Sequence, residues 1–173
     1  MNKYRITKYN PFFREANGNY LREDWMSISD IGKKFEGNIL TVEEYKSVED
    51  KYVKVIQLIM DYTNTPFIVV SDVRRSTDDS GFEKSINKYR ELYNEEYLKD
   101  IYYNLIDTMK FSSQQIDSLV RLLLREEIGA EVYFETNLKV FIGYDFLMGI
   151  HTDRPIEVII PKIEEIGLFV EKF

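Results

Sequence analysis

The chain has 173 residues, of which 44% are hydrophobic and 31% are charged, a composition typical of a globular rather than a disordered protein. It has no cysteine and a single histidine, His151, which excludes disulfide scaffolds, zinc ribbons, thiol nucleophiles and multi-histidine metal sites. We expect one globular domain over residues 1–173, with an irregular segment at about 10–40 and no cofactor. The start of the chain has no secretory pattern and the apolar stretches are only strand-length, so we expect a cytoplasmic protein.

The net charge of −7 is unevenly distributed along the chain. Residues 1–37 hold 7 Lys/Arg and 5 Asp/Glu, net +2, whereas residues 38–173 carry net −9. Nucleic acids and anionic membranes attract basic surfaces, so this acidity argues against both as partners. It is compatible with a basic protein partner, the alternative being that it serves only solubility.

The first predicted strand runs from Lys3 to Tyr9. Within it Tyr4 and Ile6 alternate with more polar residues, and Lys8 falls on the same side as these two apolar residues. In the irregular segment that follows, Asn17-Gly18 is typical of a type I′ turn and predicts a small hairpin.

The clearest predicted helix runs from Val42 to Tyr62. Thr41 and Glu44 have the spacing of a capping box, in which the threonine hydroxyl accepts from the glutamate amide and the glutamate side chain accepts in return. The apolar run from Phe67 to Val73 then predicts a buried strand, and the polar stretch from Arg74 to Gly81 predicts a loop.

The rest of the chain alternates between helical and strand periods. Helices are expected at Phe82–Tyr93, from Tyr97 to Met109, and at Ser113–Ile128 with a capping box at Ser112 and Gly129 at its end. A meander of strands is expected at Glu131–Glu135, Lys139–Ile142 and Phe146–Ile150, then a helix over Ile156–Ile166 interrupted at Pro161, and a strand at Leu168–Glu171. This order predicts an α+β fold, or a mixed α/β fold, with helices packed on a mixed sheet and an antiparallel meander in the C-terminal third.

The first candidate binding site is the loop after the buried strand, which carries Asp72, Arg74 and Arg75. Ligands in open α/β sheets collect outside the carboxyl ends of strands. Asp72 could orient a base or a metal, and either arginine could hold an anion. The alternative is a solvated loop with local ion pairs.

The second candidate lies in the irregular segment, where Trp25 and Asp30 stand among serines in a stretch without regular structure. Loops that carry aromatic residues are common binding surfaces. The alternative is that Trp25 packs the segment onto the core while Asp30 forms a turn. We assign no catalytic residue and no metal ligand, because nothing in the sequence connects His151 to a nucleophile.

The N-terminal run Tyr4-Arg5-Ile6-Thr7-Lys8-Tyr9-Asn10-Pro11, followed by Asp24-Trp25-x-Ser27-x-Ser29-Asp30-Ile31-Gly32, resembles the opening of an uncharacterised family of small bacterial proteins. Small, acidic, cysteine-free chains of this kind are also similar to the immunity partners of bacterial polymorphic toxins. The resemblance implies a protein-binding role, and no catalytic residue is carried over from it.

These observations favour a cytoplasmic protein-binding module of the immunity or regulatory type. One alternative is an enzyme acting on a small anionic substrate with Asp72, Arg74, Asp30 and His151, which requires Asp30 and Asp72 to share a pocket. A second alternative is a self-assembling structural protein, and the sequence leaves the oligomeric state open.

Overall fold

The computed structural model describes residues 1–94 and 96–173. Its main feature is a seven-stranded sheet with the strand order β5-β4-β6-β7-β8-β1-β9, together with a separate two-stranded hairpin, β2-β3. The strands are β1 Asn2–Thr7, β2 Lys34–Phe35, β3 Asn38–Ile39, β4 Ile68–Arg75, β5 Lys110–Phe111, β6 Ile128–Phe134, β7 Leu138–Ile142, β8 Leu147–Thr152 and β9 Phe169–Lys172.

All pairings among these strands are antiparallel. The predicted α+β class and the C-terminal meander β6-β7-β8 are therefore confirmed, and the sheet is antiparallel rather than mixed. Side chains that point to one face of the central strands, such as Val132, Val140 and Ile150, are buried beneath the helices. Their neighbours along the same strands, which point the other way, retain solvent exposure.

The helices are α1 Val42–Tyr62, α2 Asp79–Lys88, α3 Glu96–Asn104, α4 Asp117–Leu124 and α5 Ile160–Ile166. Helix α1 has the predicted bounds, and both hydrogen bonds of its capping box are present between Thr41 and Glu44. Pro161 lies in the first turn of α5, where its missing amide costs nothing, and Gly167 ends that helix with a φ of 98°.

The prediction of a long helix over Ser113–Ile128 is wrong at both ends. The Gln115 side chain accepts from the Ser112 amide, as in a capping box, but the residues between them form a turn, and α4 begins only at Asp117. Gly129 is not a C-terminal cap, because it lies within strand β6. The predicted hydrogen bond between Ser112 and Gln115 is therefore present, although it does not begin the helix. The C-terminal end of α4 is set by β6, which starts at Ile128 and pairs with β4.

The predicted loop after the buried strand also needs correction. Asp72, Arg74 and Arg75 belong to strand β4 rather than to a loop. Arg75, the last residue of β4, pairs with Ile128 of β6. A bulge between Ser71 and Arg74 interrupts the register, and Asp72 has a φ of 53° there. The polar residues therefore lie at a bulge within β4, and pairing with β6 resumes after the bulge at Arg74.

A buried ion network joins α1 to α4. The Glu49 carboxylate is fully buried and accepts from Arg125 Nε at 2.7 Å, Arg125 Nη2 at 2.6 Å and Arg121 Nη1 at 3.1 Å. Arg121 also donates to Asp117 at 2.7 Å and to Asp50 at 2.6 Å. Each buried charge therefore has several hydrogen-bond partners, which a charge removed from water requires.

Candidate protein-binding site

The irregular segment, residues 10–40, crosses one end of the sheet between β1 and α1. The predicted hairpin around Gly18 is present but short: Arg14 and Tyr20 form a bridge, and backbone hydrogen bonds join Glu15 to Asn19 and Leu21 to Phe13 on either side of it. A second hairpin, β2-β3, has positive φ angles at both turn residues, Glu36 and Gly37, as a type I′ turn requires. The sequence did not reveal this hairpin, because Glu replaces the usual Asn or Asp before the glycine.

Trp25 packs this segment onto the core. The indole is buried and lies 5.0 Å from the Phe146 ring and 5.3 Å from the Tyr45 ring, measured between centroids. Phe146 belongs to the turn before β8 and Tyr45 to α1. Trp25 thus connects the segment to two distant parts of the chain, and most of its surface is covered by this chain itself.

Lys8 lies beneath the segment with 6% of its side chain exposed. Its Nζ is 2.8 Å from an Asp24 carboxylate oxygen and about 4 Å from the ring centroids of Tyr9 and Trp25. Burial lowers the pKa of Lys8 to about 8, and the attraction of Asp24 only partly offsets this effect. An ammonium group held between two rings and one carboxylate fixes the path of the segment.

Asp30 forms a turn. Its carboxylate accepts from the amides of Met26 and Ser27 and from Lys33 Nζ at 2.7 Å. Burial opposes ionisation, but the lysine and the two amides outweigh it and lower the pKa of Asp30. All of these groups belong to the segment, so Asp30 stabilises its local conformation.

The three site residues predicted on β4 have different surroundings. Asp72 and Arg74 form an exposed ion pair, with 2.9 Å between their oxygen and nitrogen atoms. Arg75 instead donates to the carbonyl oxygens of Tyr102, Tyr103 and Leu105. Its guanidinium group thereby caps the C-terminal end of α3. Trp25 and Asp30 are near each other in the irregular segment, but the structure does not bring them together with the β4 residues in a common cleft.

Two neighbouring clefts line the irregular segment. The first has a volume of about 790 Å³ and lies between the segment, the end of β1 and the turn before β8. The second, which we call the acidic groove, has a volume of about 610 Å³ and lies between the segment and the first turns of α1. Five carboxylates and two cations line the acidic groove, with aromatic rings among them: Glu23, Asp24, Glu36, Glu43, Glu44, Arg22, Lys51, Tyr20, Trp25 and Phe35.

Three of the five carboxylates already have partners. Arg22 donates two hydrogen bonds to Glu36 and thereby lowers the pKa of that carboxyl. Asp24 faces Lys8, and Glu44 closes the capping box of α1. By contrast, Glu23 and Glu43 have no hydrogen-bond or ion-pair partner within residues 1–94 and 96–173. The groove therefore offers two uncommitted carboxylates, neither of which was singled out from the sequence.

Apolar side chains of the same segment project into solvent. Phe12 is 84% exposed, Leu21 64% and Ile39 59%, and Met26 lines the larger cleft. Exposed apolar groups beside uncommitted charges are typical of protein-binding surfaces rather than of small-molecule pockets, which enclose their ligand.

An enzyme of the predicted alternative kind would need Asp30 and Asp72 in one pocket. Neither aspartate lines the two clefts above or the two smaller ones, of about 430 and 300 Å³, found elsewhere on the described surface. Across residues 1–94 and 96–173, no three Asp, Glu or His side chains gather in a way that could hold a metal ion.

We compared the chain with family models, curated proteins and solved structures, and none of the three comparisons gave a match. No helix in the part of the chain that the structure describes combines the length and the hydropathy needed to cross a bilayer.

Proposed function

We propose that this chain is a cytoplasmic protein-binding module, of the immunity or regulatory type, that binds a basic protein through the acidic groove. The observation that carries the proposal is the pairing of two uncommitted carboxylates, Glu23 and Glu43, with the exposed apolar side chains of the irregular segment. Carboxylates attract and orient a basic partner, and the exposed apolar side chains of the same irregular segment supply buried area once it is bound.

The core beneath the groove supports this role. Trp25 and the Lys8–Asp24 pair hold the segment against α1 and β8, so the groove is formed before a partner arrives. A preformed surface loses less conformational entropy on binding than one that must order first. The aromatic residues in the groove wall, Tyr20 and Phe35, are of the type that is enriched at the centres of protein interfaces.

The test is a pull-down from the native host with matched charge reversals. Wild-type chain should recover a basic protein, and the double variant Glu23→Lys, Glu43→Lys should lose it. The control reverses two exposed carboxylates of α5, Glu164→Lys and Glu165→Lys, which changes the net charge equally.

The recovered protein is then purified and titrated against all three chains by calorimetry. We expect the groove variant to bind about tenfold more weakly or worse, which corresponds to about 1.4 kcal/mol, and the control to bind like the wild type. Equal weakening by both variants would show that net charge alone matters, and the acidic groove would no longer be the binding site.

A further inference from the structure

The helices cover only one face of the seven-stranded sheet. We call the other face the open face. On it, every second residue of β7 and β8 points away from the core, and none of these residues is buried: Lys139, Phe141, Leu147, Gly149 and His151. An antiparallel sheet with one solvated face is common, but such a face normally carries mixed charges.

One row of residues across the open face, running from β7 through β8 to β1, is entirely basic. His151 of β8 lies directly opposite Lys139 of β7 on one side and Lys3 of β1 on the other. Across the described residues, Lys3, Lys139 and His151 have no carboxylate within ion-pair distance. Lys3 and Lys139 therefore flank His151 with no neutralising carboxylate, and a protonated imidazole there meets a like charge on each side, which destabilises the sheet.

We propose that the cationic row formed by Lys139, His151 and Lys3 binds an acidic segment of a partner protein. A carboxylate lying over the row would remove the repulsion and gain charge-assisted hydrogen bonds from the lysines. The row spans two strand spacings, about 10 Å, and side chains on the same side of an extended peptide are about 7 Å apart, so two of its carboxylates fit along the row.

The surface beside the row suits an acidic segment that also carries apolar residues. A shallow cleft of about 300 Å³ is lined by Lys3, Arg5, Phe141, His151 and Phe173. The Phe141 ring packs beside Gly149 of the neighbouring strand, and its centroid is 4.8 Å from the centroid of the imidazole. The ring therefore forms an apolar shelf next to His151.

A protein segment fits the charge of the whole chain better than a nucleic acid does. A nucleic acid carries a phosphate at every nucleotide, so its charges would extend beyond the row and meet a body of net charge −7. A protein segment can carry acidic residues only where the row lies. The inference is independent of the acidic groove, because Lys3 and Lys8 stand at opposite ends of β1, about 17 Å apart.

His151 gives a direct readout, because it is the single histidine of the chain and its imidazole protons form one resolved set of NMR signals. Partial burial, the two lysines and the N-terminal ammonium lower the pKa of His151 in the free protein. A carboxylate bound to the row should raise this pKa, so binding should take up protons at pH values between the pKa of the free protein and that of the complex.

The probe is a capped hexapeptide of alternating glutamate and phenylalanine, titrated into full-length protein at low salt. We expect the His151 signals to shift and saturate, and the double variant Lys3→Gln, Lys139→Gln to bind about tenfold more weakly. The same variant should raise the pKa of His151 in the free protein. The control Lys54→Gln, Lys162→Gln removes two exposed lysines elsewhere and should bind like the wild type.

Three comparison ligands can overturn the proposal. A hexapeptide with glutamine in place of glutamate should give no shift, and binding by it would show that the contact is apolar only. Hexathymidylate binding more tightly than the peptide would assign the row to nucleic acid, and inorganic phosphate binding as tightly would show an adventitious ion only. Unchanged His151 signals throughout the peptide titration would also reject the proposal.

Discussion

Two buried charge clusters hold this molecule together, and they are built differently. Between α1 and α4, the Glu49 carboxylate receives three guanidinium hydrogen bonds, and its partner Arg125 also donates to the Leu92 carbonyl. Beneath the irregular segment, Lys8 has one carboxylate partner, Asp24, and otherwise faces aromatic rings.

The difference follows from the elements that supply the residues. Two packed helices can bring four or five long side chains to one point, so each charged group there has several hydrogen-bond partners. An irregular segment that crosses the end of a sheet offers fewer groups, and rings replace the missing hydrogen-bond partners. In the first cluster the carboxylates outweigh burial and raise the pKa of Arg121 and Arg125, so both arginines stay charged, whereas burial lowers the pKa of Lys8 in the second cluster to about 8.

The largest effect should come from Glu49→Ala. Removing the carboxylate leaves two buried guanidinium groups with too few partners, and we expect the free energy of unfolding to fall by about 3 to 5 kcal/mol. Urea unfolding measures this loss. The matched control Lys54→Ala removes an exposed charge from the middle of the same helix and should change stability by less than about 0.5 kcal/mol. A small effect at Glu49 would mean that Asp50 and Asp117 suffice for Arg121, and that the Leu92 carbonyl suffices for Arg125.

Trp25→Ala should have the next largest effect, because it removes the buried indole that connects the irregular segment to Tyr45 and Phe146. We expect a loss of about 3 kcal/mol and faster proteolysis within residues 10–40. Phe12→Ala, on the same segment but exposed, is the control and should alter neither. Unchanged proteolysis in Trp25→Ala would show that the Lys8 cluster alone holds the segment.

The sequence predicted elements whose signals are local. Helix α1 has its predicted bounds because its capping box and apolar stripe lie within the helix itself. Gly167 likewise ends α5 as predicted. The ends of α4 and β4 could not be predicted, because pairing between β4 and β6, far apart along the chain, determines both.

The candidate site was predicted less well than the fold. Trp25 and Asp30 stay a prediction as binding residues, and the structure shows both holding the irregular segment beside the acidic groove. Lys8 carried a usable signal, since in the predicted strand alternation it falls on the same side as Tyr4 and Ile6, both of which are buried. Glu23 and Glu43 carried none, because an uncommitted carboxylate is defined by its neighbours in space.

The Lys8 cluster should reveal itself in the pH dependence of stability. The unfolded chain holds the Lys8 proton up to a pKa of about 10.4, whereas the folded chain releases it near pH 8. Between these values the unfolded state binds more protons, so the free energy of unfolding contributed by Lys8 rises with pH.

Comparison with Lys8→Met isolates this term, because the other titrating groups are common to both chains. Wild type should gain about 2 kcal/mol relative to the variant between pH 7 and pH 9.5, measured by urea unfolding. Parallel pH profiles for the two chains would show that Lys8 titrates in the folded state as it does in the unfolded one.

The smallest effects should separate the two arginines of β4. Arg75 donates to three carbonyl oxygens at the end of α3, so Arg75→Ala should cost about 1 to 2 kcal/mol. Arg74 pairs only with exposed Asp72, and Arg74→Ala should cost less than about 0.5 kcal/mol. Thermal unfolding of both variants in low and high salt measures the difference, and salt should abolish only the Arg74 effect. A larger loss at Arg74 would mean that the exposed bulge, like the two buried clusters, depends on its ion pair.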